Sequence, residues 1–224
     1  MRDMFSTIAP KYDFITRVFS YGMDQRWKRL AVRRAMLPAS ARVLDLACGT
    51  GDFAKLVARE SPETTAIAAD LTETMLRLSG LSRAVCADAA SLPFANACFD
   101  AVFIGYGLRN FPRLRAAIEE VHRVLKPGGV LVSLDFFLPA RRWLRRIYLT
   151  YLYAQGAFWG LVLHRRARVY TYIPDSLKSF LSAEEFTRSL ENMQFDDVTA
   201  RPFILGGIAV HRATKPPCES RDIK

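Results

Sequence analysis

The sequence predicts an α/β fold built on a mostly parallel sheet, and three observations carry that prediction. From Arg42 to about Phe137, short apolar runs alternate with amphipathic helical patterns, as parallel strands joined by crossover helices do. The first run, Val43-Leu44-Asp45-Leu46, passes into Ala47-Cys48-Gly49-Thr50-Gly51-Asp52, a glycine-rich turn that opens a helix. The next two runs each deliver an aspartate, Asp70 and Asp88, to a strand end.

The elements follow in order. Met4, Ile8, Tyr12, Ile15, Val18 and Phe19 recur at helical spacing, which makes residues 1–38 an N-terminal helical cap closed by Pro38. Strands are expected at 42–47, 65–70, 83–86, 99–105 and 129–136, with a short helix over Thr72 to Ser79. Between Arg113 and Leu125, apolar Leu114, Ala117, Ile118, Val121 and Val124 line one helix face, and Lys126-Pro127-Gly128-Gly129 ends it. Residues 139–175 form a helical insertion after the fifth strand. Ser182-Ala183-Glu184-Glu185 reads as a capping box that starts a helix to about Met193. Two last strands, Phe195 to Arg201 and Phe203 to His211, finish the sheet, so residues 1–214 make one domain and 215–224 a disordered tail.

The turn after the first strand is a cofactor elbow. Gly49 and Gly51 lack Cβ, so a ligand can lie against the backbone, and the helix opening near Asp52 points unpaired N–H groups there. No lysine follows the glycines, which excludes the phosphate loop GxxxxGK[ST]. Ala54 satisfies only the relaxed GxGxxG/A dinucleotide pattern. Carboxylates at Asp45 and Asp52 suit a ligand bearing an ammonium and a sulfonium better than a pyrophosphate. Asp70, about 20 residues on, stands where a ribose-binding acid belongs. Asp88 supplies a further acidic strand end suited to an adenine amino group.

The 224 residues carry a formal charge of +10 and are 50% hydrophobic, so the chain folds and its excess cations call for an anionic partner or solvent. Cys48, Cys86, Cys98 and Cys218 have no metal-ligand spacing and read as free thiols in a reducing compartment. His122, His164 and His211 read as surface or strand-end residues without metal partners, and no signal peptide is apparent. In the insertion, the seventeen residues from Ile147 to Leu163 carry no charge and are bracketed by Arg141, Arg142, Arg145, Arg146, Arg165 and Arg166. That run falls short of the roughly 20 residues needed to cross a bilayer. Its Tyr, Trp and flanking Arg suit a segment lying at a lipid interface; a buried helical hairpin with a solvated basic rim is the competing reading.

The fourth strand delivers Gly105-Tyr106-Gly107-Leu108-Arg109-Asn110-Phe111 to the rim where ligands bind in open α/β sheets. Tyr106 and Phe111 offer aromatic walls, Arg109 and Asn110 polar groups. A structural role for Arg109, bound to a carboxylate or a helix terminus, competes with a chemical one.

Together, Asp45 to Asp52, Asp70, Leu92-Pro93-Phe94, Phe99-Asp100 and Arg123 to Gly129 resemble a class I S-adenosylmethionine-dependent methyltransferase. Met4 to Asp13, Gly107-Leu108-Arg109-Asn110, Tyr170 to Ser176 and Gly206-Gly207-Ile208-Ala209 resemble, more narrowly, the ubiquinone/menaquinone C-methyltransferase family. The resemblance implies a Rossmann-like, mostly parallel seven-stranded sheet whose last strand is antiparallel. It implies methyl transfer to a ring carbon of a polyprenyl hydroquinone precursor, without a metal. Arg109 then stabilises a developing phenolate, while Asp13, or a water held by Asp13 and Tyr12, takes the proton. Ionising a phenol of pKa about 10 at pH 7 costs about 4 kcal/mol. Asp45, Gly49, Thr50, Gly51, Asp70, Leu71, Asp88, Ala89 and Gly105 are expected at the cofactor, with Met75 over the adenine. Tyr106, Asn110 and Tyr172 are expected at the acceptor, and the insertion is expected to act as a substrate lid.

Three departures mark the chain: Gly105 where a small polar residue is common, Asp135-Phe136-Phe137 in place of an EFS-type segment, and a short Asp70 to Asp88 connection. The implied partners are a polyprenyl quinol and a membrane surface, at the inner face of the membrane on the cytoplasmic side. A homodimer or a biosynthetic complex stays open. Another lipid, a small molecule or nucleic acid is the alternative acceptor, and a non-catalytic cofactor-binding scaffold the alternative class. Gly105-Tyr106-Gly107 stands where a base methyltransferase would carry Asn-Pro-Pro-Tyr or Pro-Cys, which argues against nucleic acid.

Overall fold

The computed structural model describes residues 12–166 and 170–217, apart from the side chains of Tyr12, Asp13, Ile15 and His164. Met4, Ile8 and Cys218 therefore lie outside the described residues. The chain runs α1 (Tyr12–Phe19), α2 (Asp24–Ala35), β1 (Arg42–Leu46), α3 (Asp52–Glu60), β2 (Thr65–Asp70), α4 (Glu73–Ser79), β3 (Ala84–Cys86) and β4 (Phe99–Gly105). A 3-10 turn at Leu108–Asn110 precedes α5 (Leu114–Val124), β5 (Leu125–Phe136), α6 (Arg142–His164), α7 (Tyr172–Lys178), α8 (Ala183–Asn192), β6 (Asp196–Phe203) and β7 (Ile208–Thr214).

The strands form one seven-stranded sheet in the order β3-β2-β1-β4-β5-β7-β6. Pairing from β3 through β5 is parallel, and β7 runs antiparallel to both of its neighbours, so the predicted fold class holds. Strand residues alternate between two cores because side chains alternate across a strand. Val43, Ala101, Phe103, Val132 and Val210 pack against Trp27, Ala31, Phe53 and Leu152. Leu44, Val102, Ile104, Leu131 and Ala209 pack against Ile118, Val121, Phe186 and Leu190. The order reverses between β1 and β4, the switch point at whose carboxyl edge such sheets bind ligands.

Four details differ from the expectation. Helix α5 stops at Val124 because Leu125 already pairs with Phe99, and Lys126 to Gly129 bulges out before Val130 resumes register opposite Ala101. The last strand begins at Ile208 and not at Phe203, since Ile204 to Gly206 makes a turn with Leu205 left-handed at φ 53°. The tail does not come loose at 215: the Lys215 ammonium donates to His122 O and Leu125 O, and its backbone pairs with Gly128 and Gly129. His211 lies fully buried between Phe137 and Phe186, donating to or accepting from Ala183 O according to tautomer. Burial of the imidazole pushes its pKa down to about 4.

The capping box forms as read, with Ser182 Oγ accepting from Glu185 N and Glu185 accepting from Ser182 N. The insertion is dominated by α6, a single helix of 23 residues. Its Tyr148 hydroxyl donates to Gly207 O at 2.8 Å, fastening the insertion to the final hairpin.

Candidate functional site

The elbow is a run of left-handed residues. Ala47 (φ 54°), Gly49 (φ 54°) and Gly51 (φ 81°) turn the chain from β1 into α3, closed by Gly51 N donating to Cys48 O. A Cβ on Gly51 would lie 2.5 Å from Leu81 Cδ1 at a positive φ, so a side chain here is strained and requires Leu81 to move. Tyr106, at the end of the adjacent β4, is also left-handed (φ 58°). Two non-glycine residues thus hold a conformation that costs about 1–3 kcal/mol each, both at the switch point. Fully buried Asp45 supports the turn from below by accepting Ala54 N at 2.9 Å. Burial pushes its pKa up to about 8, against that hydrogen bond and with Asp52 and Asp70 adding to the rise.

Asp70 locks the elbow to β2. One oxygen accepts Gly49 N at 2.9 Å, the other Thr72 N at 2.8 Å. Each oxygen keeps a further lone pair for a ligand hydroxyl. Burial raises the Asp70 pKa, opposed by those backbone donors. Above the sheet edge opens a cleft of about 940 Å³ counted out to solvent. Gly49, Asp70, Leu71, Asp88, Ala89 and Gly105 line it from the cofactor set, Tyr106 and Asn110 from the acceptor set. Met75, 2% exposed, adds an apolar wall. Asp88 accepts Ala90 N and pairs with Arg113 at 3.1 Å on the exposed rim. Asp45, Thr50 and Gly51 shape the elbow without lining the cleft.

Beyond Tyr106 the chemistry changes. Arg109 turns inward and pairs with fully buried Asp135 at 2.7 Å, also donating to Tyr106 O at 3.0 Å. Asp135 accepts Leu108 N and Phe136 N as well, so one carboxylate anchors the whole turn to β5. The guanidinium stacks over Phe136, 5.1 Å from the ring centre, and interacts with the Tyr172 hydroxyl. Burial raises the Tyr172 pKa while Arg109 pulls it down. Asn110 donates to the same Tyr106 carbonyl at 3.3 Å. Arg109 and Tyr172 do not line the cleft; they stand behind its aromatic wall.

A model of the ubiE/COQ5 methyltransferase family matches residues 1–215, nearly the whole of this chain. The chain belongs to that family. Among its relatives, the ubiquinone/menaquinone biosynthesis C-methyltransferase UbiE of Geobacter sulfurreducens is 38% identical, over 96% of this chain and 88% of the other. The demethylmenaquinone methyltransferase of Thermus thermophilus is 37% identical, over 95% of this chain and all of the other. In fold, the chain is similar to an S-adenosylmethionine-dependent methyltransferase from Thermotoga maritima, at a TM-score of 0.66 and 20% identity over 96% and 100% of the two chains. Family and fold together make this protein an S-adenosylmethionine-dependent methyltransferase.

Within the family reading, two groups escaped the sequence. Asp135 was noted only as a departure, yet it holds Arg109. Lys28, whose neighbours Arg26 and Arg29 are exposed, is itself buried and bridges Asp24, at 2.8 Å, and Asp52 at the elbow. Its ammonium also lies 5.6 Å from the Tyr106 ring centre. Burial works against its charge, but Asp52 and Asp24 outweigh burial and hold Lys28 above its ordinary pKa. The i, i+4 spacing of Asp24 and Lys28 on an amphipathic helix was the available signal. Tyr12 and Asp13 sit in α1, and their side chains lie outside the described residues. Among the described residues, no cluster of His, Cys, Asp and Glu could hold a metal.

Proposed function

We propose that this enzyme transfers the methyl group of S-adenosylmethionine to a ring carbon of a polyprenyl hydroquinone precursor at the cytoplasmic face of a membrane. The observation that carries the reading is Arg109, seated by Asp135 behind the Tyr106 wall of the cleft, with Phe136 and Tyr172 against it. Among the described residues, no helix is long and apolar enough to cross a membrane.

The cleft fits the methyl donor chemically. Asp70 can accept ribose hydroxyls, Asp88 and Ala89 face an adenine edge, and Leu71 and Met75 flank its ring. Asp52 and Asp70 place carboxylates at the elbow, where a ligand with an ammonium and a sulfonium gains most. When bound, S-adenosylmethionine supplies an electrophilic methyl group. The chain's part is to hold the acceptor carbon in line with it and to make that carbon nucleophilic. Tyr106 and Asn110 border the ring, and Tyr172 closes the acceptor side.

A hydroquinone hydroxyl gives up its proton only if the resulting phenolate is stabilised. Arg109 stays protonated and favours the anion, directly or through the Tyr172 hydroxyl it touches. Asp13, or a water held by Asp13 and Tyr12, takes the proton. Residues 1–214 act as one catalytic domain, with 1–38 as cap and 139–175 as lid.

Labelled S-adenosylmethionine incubated with chemically reduced demethylmenaquinol, or with a ubiquinol precursor, in detergent tests the reading. Label in the extracted quinone is expected. Label in neither acceptor sinks the proposed substrate class.

A further inference from the structure

Helix α6 is apolar over two neighbouring arcs, and only one of them is used inside the protein. Tyr148 and Leu152 are buried against the sheet, with Trp159 and Leu163 packed beside them. Trp143, Ile147, Phe158, Leu161 and Val162 are each 55–60% exposed, and Tyr151 is 39% exposed. At about 100° per residue, these six fall within one arc of about 100°. The exposed stripe continues onto the N-terminal part of the chain. Phe14 packs edge-on to Trp159, and Tyr21 stacks on Tyr151, both rings still half exposed.

The charges around this stripe all have one sign. Helix α6 contains no Asp or Glu. Exposed Arg141, Arg142 and Arg146 stand at its start, exposed Arg165 and Arg166 at its end. Among the described residues, none of the five is within ion-pair distance of a carboxylate. A second copy of the chain docked here by two-fold symmetry would bring two arginine sets together with no acid on α6 to separate them. An anionic lipid surface answers both features at once: headgroups for the guanidiniums, and the interfacial region for the aromatic and aliphatic stripe.

We propose that the exposed face of α6, extended by Phe14 and Tyr21, docks this enzyme on anionic bilayers. The docking helix is tied to the acceptor end of the cleft. Tyr153 on α6 donates to Asp175 on α7, whose first residue, Tyr172, touches Arg109. An acceptor whose tail stays in the bilayer would thus reach the site from the side that touches lipid. The inference rests on the proposed polyprenyl acceptor only for its purpose; the docking itself needs no substrate.

Co-sedimentation with phosphatidylglycerol-containing vesicles, with no quinone or methyl donor present, tests it. The wild type is expected to bind at low salt, to bind much less to pure phosphatidylcholine, and to release as salt rises. Replacing Arg141, Arg142 and Arg146 with Gln is expected to weaken binding about 100-fold, at about fivefold per arginine. The set Trp143→Ser, Ile147→Ser and Phe158→Ser should abolish binding on anionic vesicles, with an unchanged circular dichroism spectrum. Both variants should keep the wild-type affinity for the methyl donor, since none of the changed residues lines the cleft. Equal binding by wild type and variants overturns the proposal. So does a wild-type dimer in sedimentation that the serine variant converts to monomer. Failure of methyl transfer to any hydroquinone with vesicle binding intact would instead strike only the acceptor assignment.

Discussion

The two ends of the cleft achieve their form by opposite means. At the elbow, backbone does most of the work: left-handed turns at Ala47, Gly49 and Gly51, and an Asp70 whose oxygens grip two backbone N–H groups. Behind Tyr106, side-chain charge does it. Asp135 and Arg109 are buried together and organise a turn, a strand and the Tyr172 of an inserted helix. The elbow carries carboxylates, whereas the turn after β4 keeps its cation half neutralised behind an aromatic wall. A backbone-built site binds whatever matches its shape before chemistry starts. A site built on a buried ion pair instead loses much of its architecture when one charge is removed.

Substitutions can break this contrast. Arg109→Ala leaves Asp135 buried without its cation and is expected to cost about 3–5 kcal/mol of stability, together with all measurable turnover. Thermal melts and turnover assays check both. Asp135→Asn keeps the shape and should lower kcat at least about 100-fold while the cofactor Kd, read by titration calorimetry, stays within about threefold. A parallel collapse of cofactor binding would show that the two ends are a single unit.

Lys28 joins the halves, because it holds Asp52 at the elbow and lies against Tyr106. Lys28→Met should raise KM for the methyl donor about tenfold and lower stability by about 2–3 kcal/mol, with partial recovery in Lys28→Arg. Asp70→Asn removes one of two backbone acceptors and should weaken cofactor binding about tenfold, near 1.4 kcal/mol, with kcat at saturation little changed. Finer still is the pH dependence. Asp45 in the folded protein keeps its proton up to about pH 8, whereas the unfolded chain loses it in the ordinary carboxylate range. Between those values the unfolded state binds fewer protons, so rising pH removes stability from the ligand-free enzyme. A bound cation favours the ionised form, so binding releases a proton and affinity climbs from pH 6 toward 8. Calorimetry in buffers of different ionisation enthalpy measures that proton, and Asp45→Asn should abolish it.

What could be read from the sequence divides along the same line. The elbow, Asp70 and Asp88 are local signals, each an apolar run with its terminus attached. The pairings Arg109–Asp135 and Lys28–Asp52 join residues 26 and 24 positions apart, and only strand order and helix packing bring them together. Arg109 was therefore legible as a chemical group and as a candidate for a carboxylate, but Asp135 was not legible as that carboxylate. Lys28 was hidden among arginines that do face solvent. Boundaries slipped where the sheet overrode local punctuation, as when Leu125 joined β5 ahead of the Lys126-Pro127-Gly128-Gly129 bulge. His211 looked like a strand-end residue because nothing nearby in sequence shows that Phe137 and Phe186 enclose it.

The fastening of Tyr148 to the last hairpin has a bearing on how this chain can drift over generations. A Cβ added at Gly207 would meet the Tyr148 ring at 2.6 Å, so any other residue at 207 requires the tyrosine ring to move. The two sites, 59 positions apart, form a ratchet: a neutral change at one becomes harmful unless the other has already shrunk. Lineages in which the inserted helix has been remodelled should show it first at these two positions, before any change in the reacting residues.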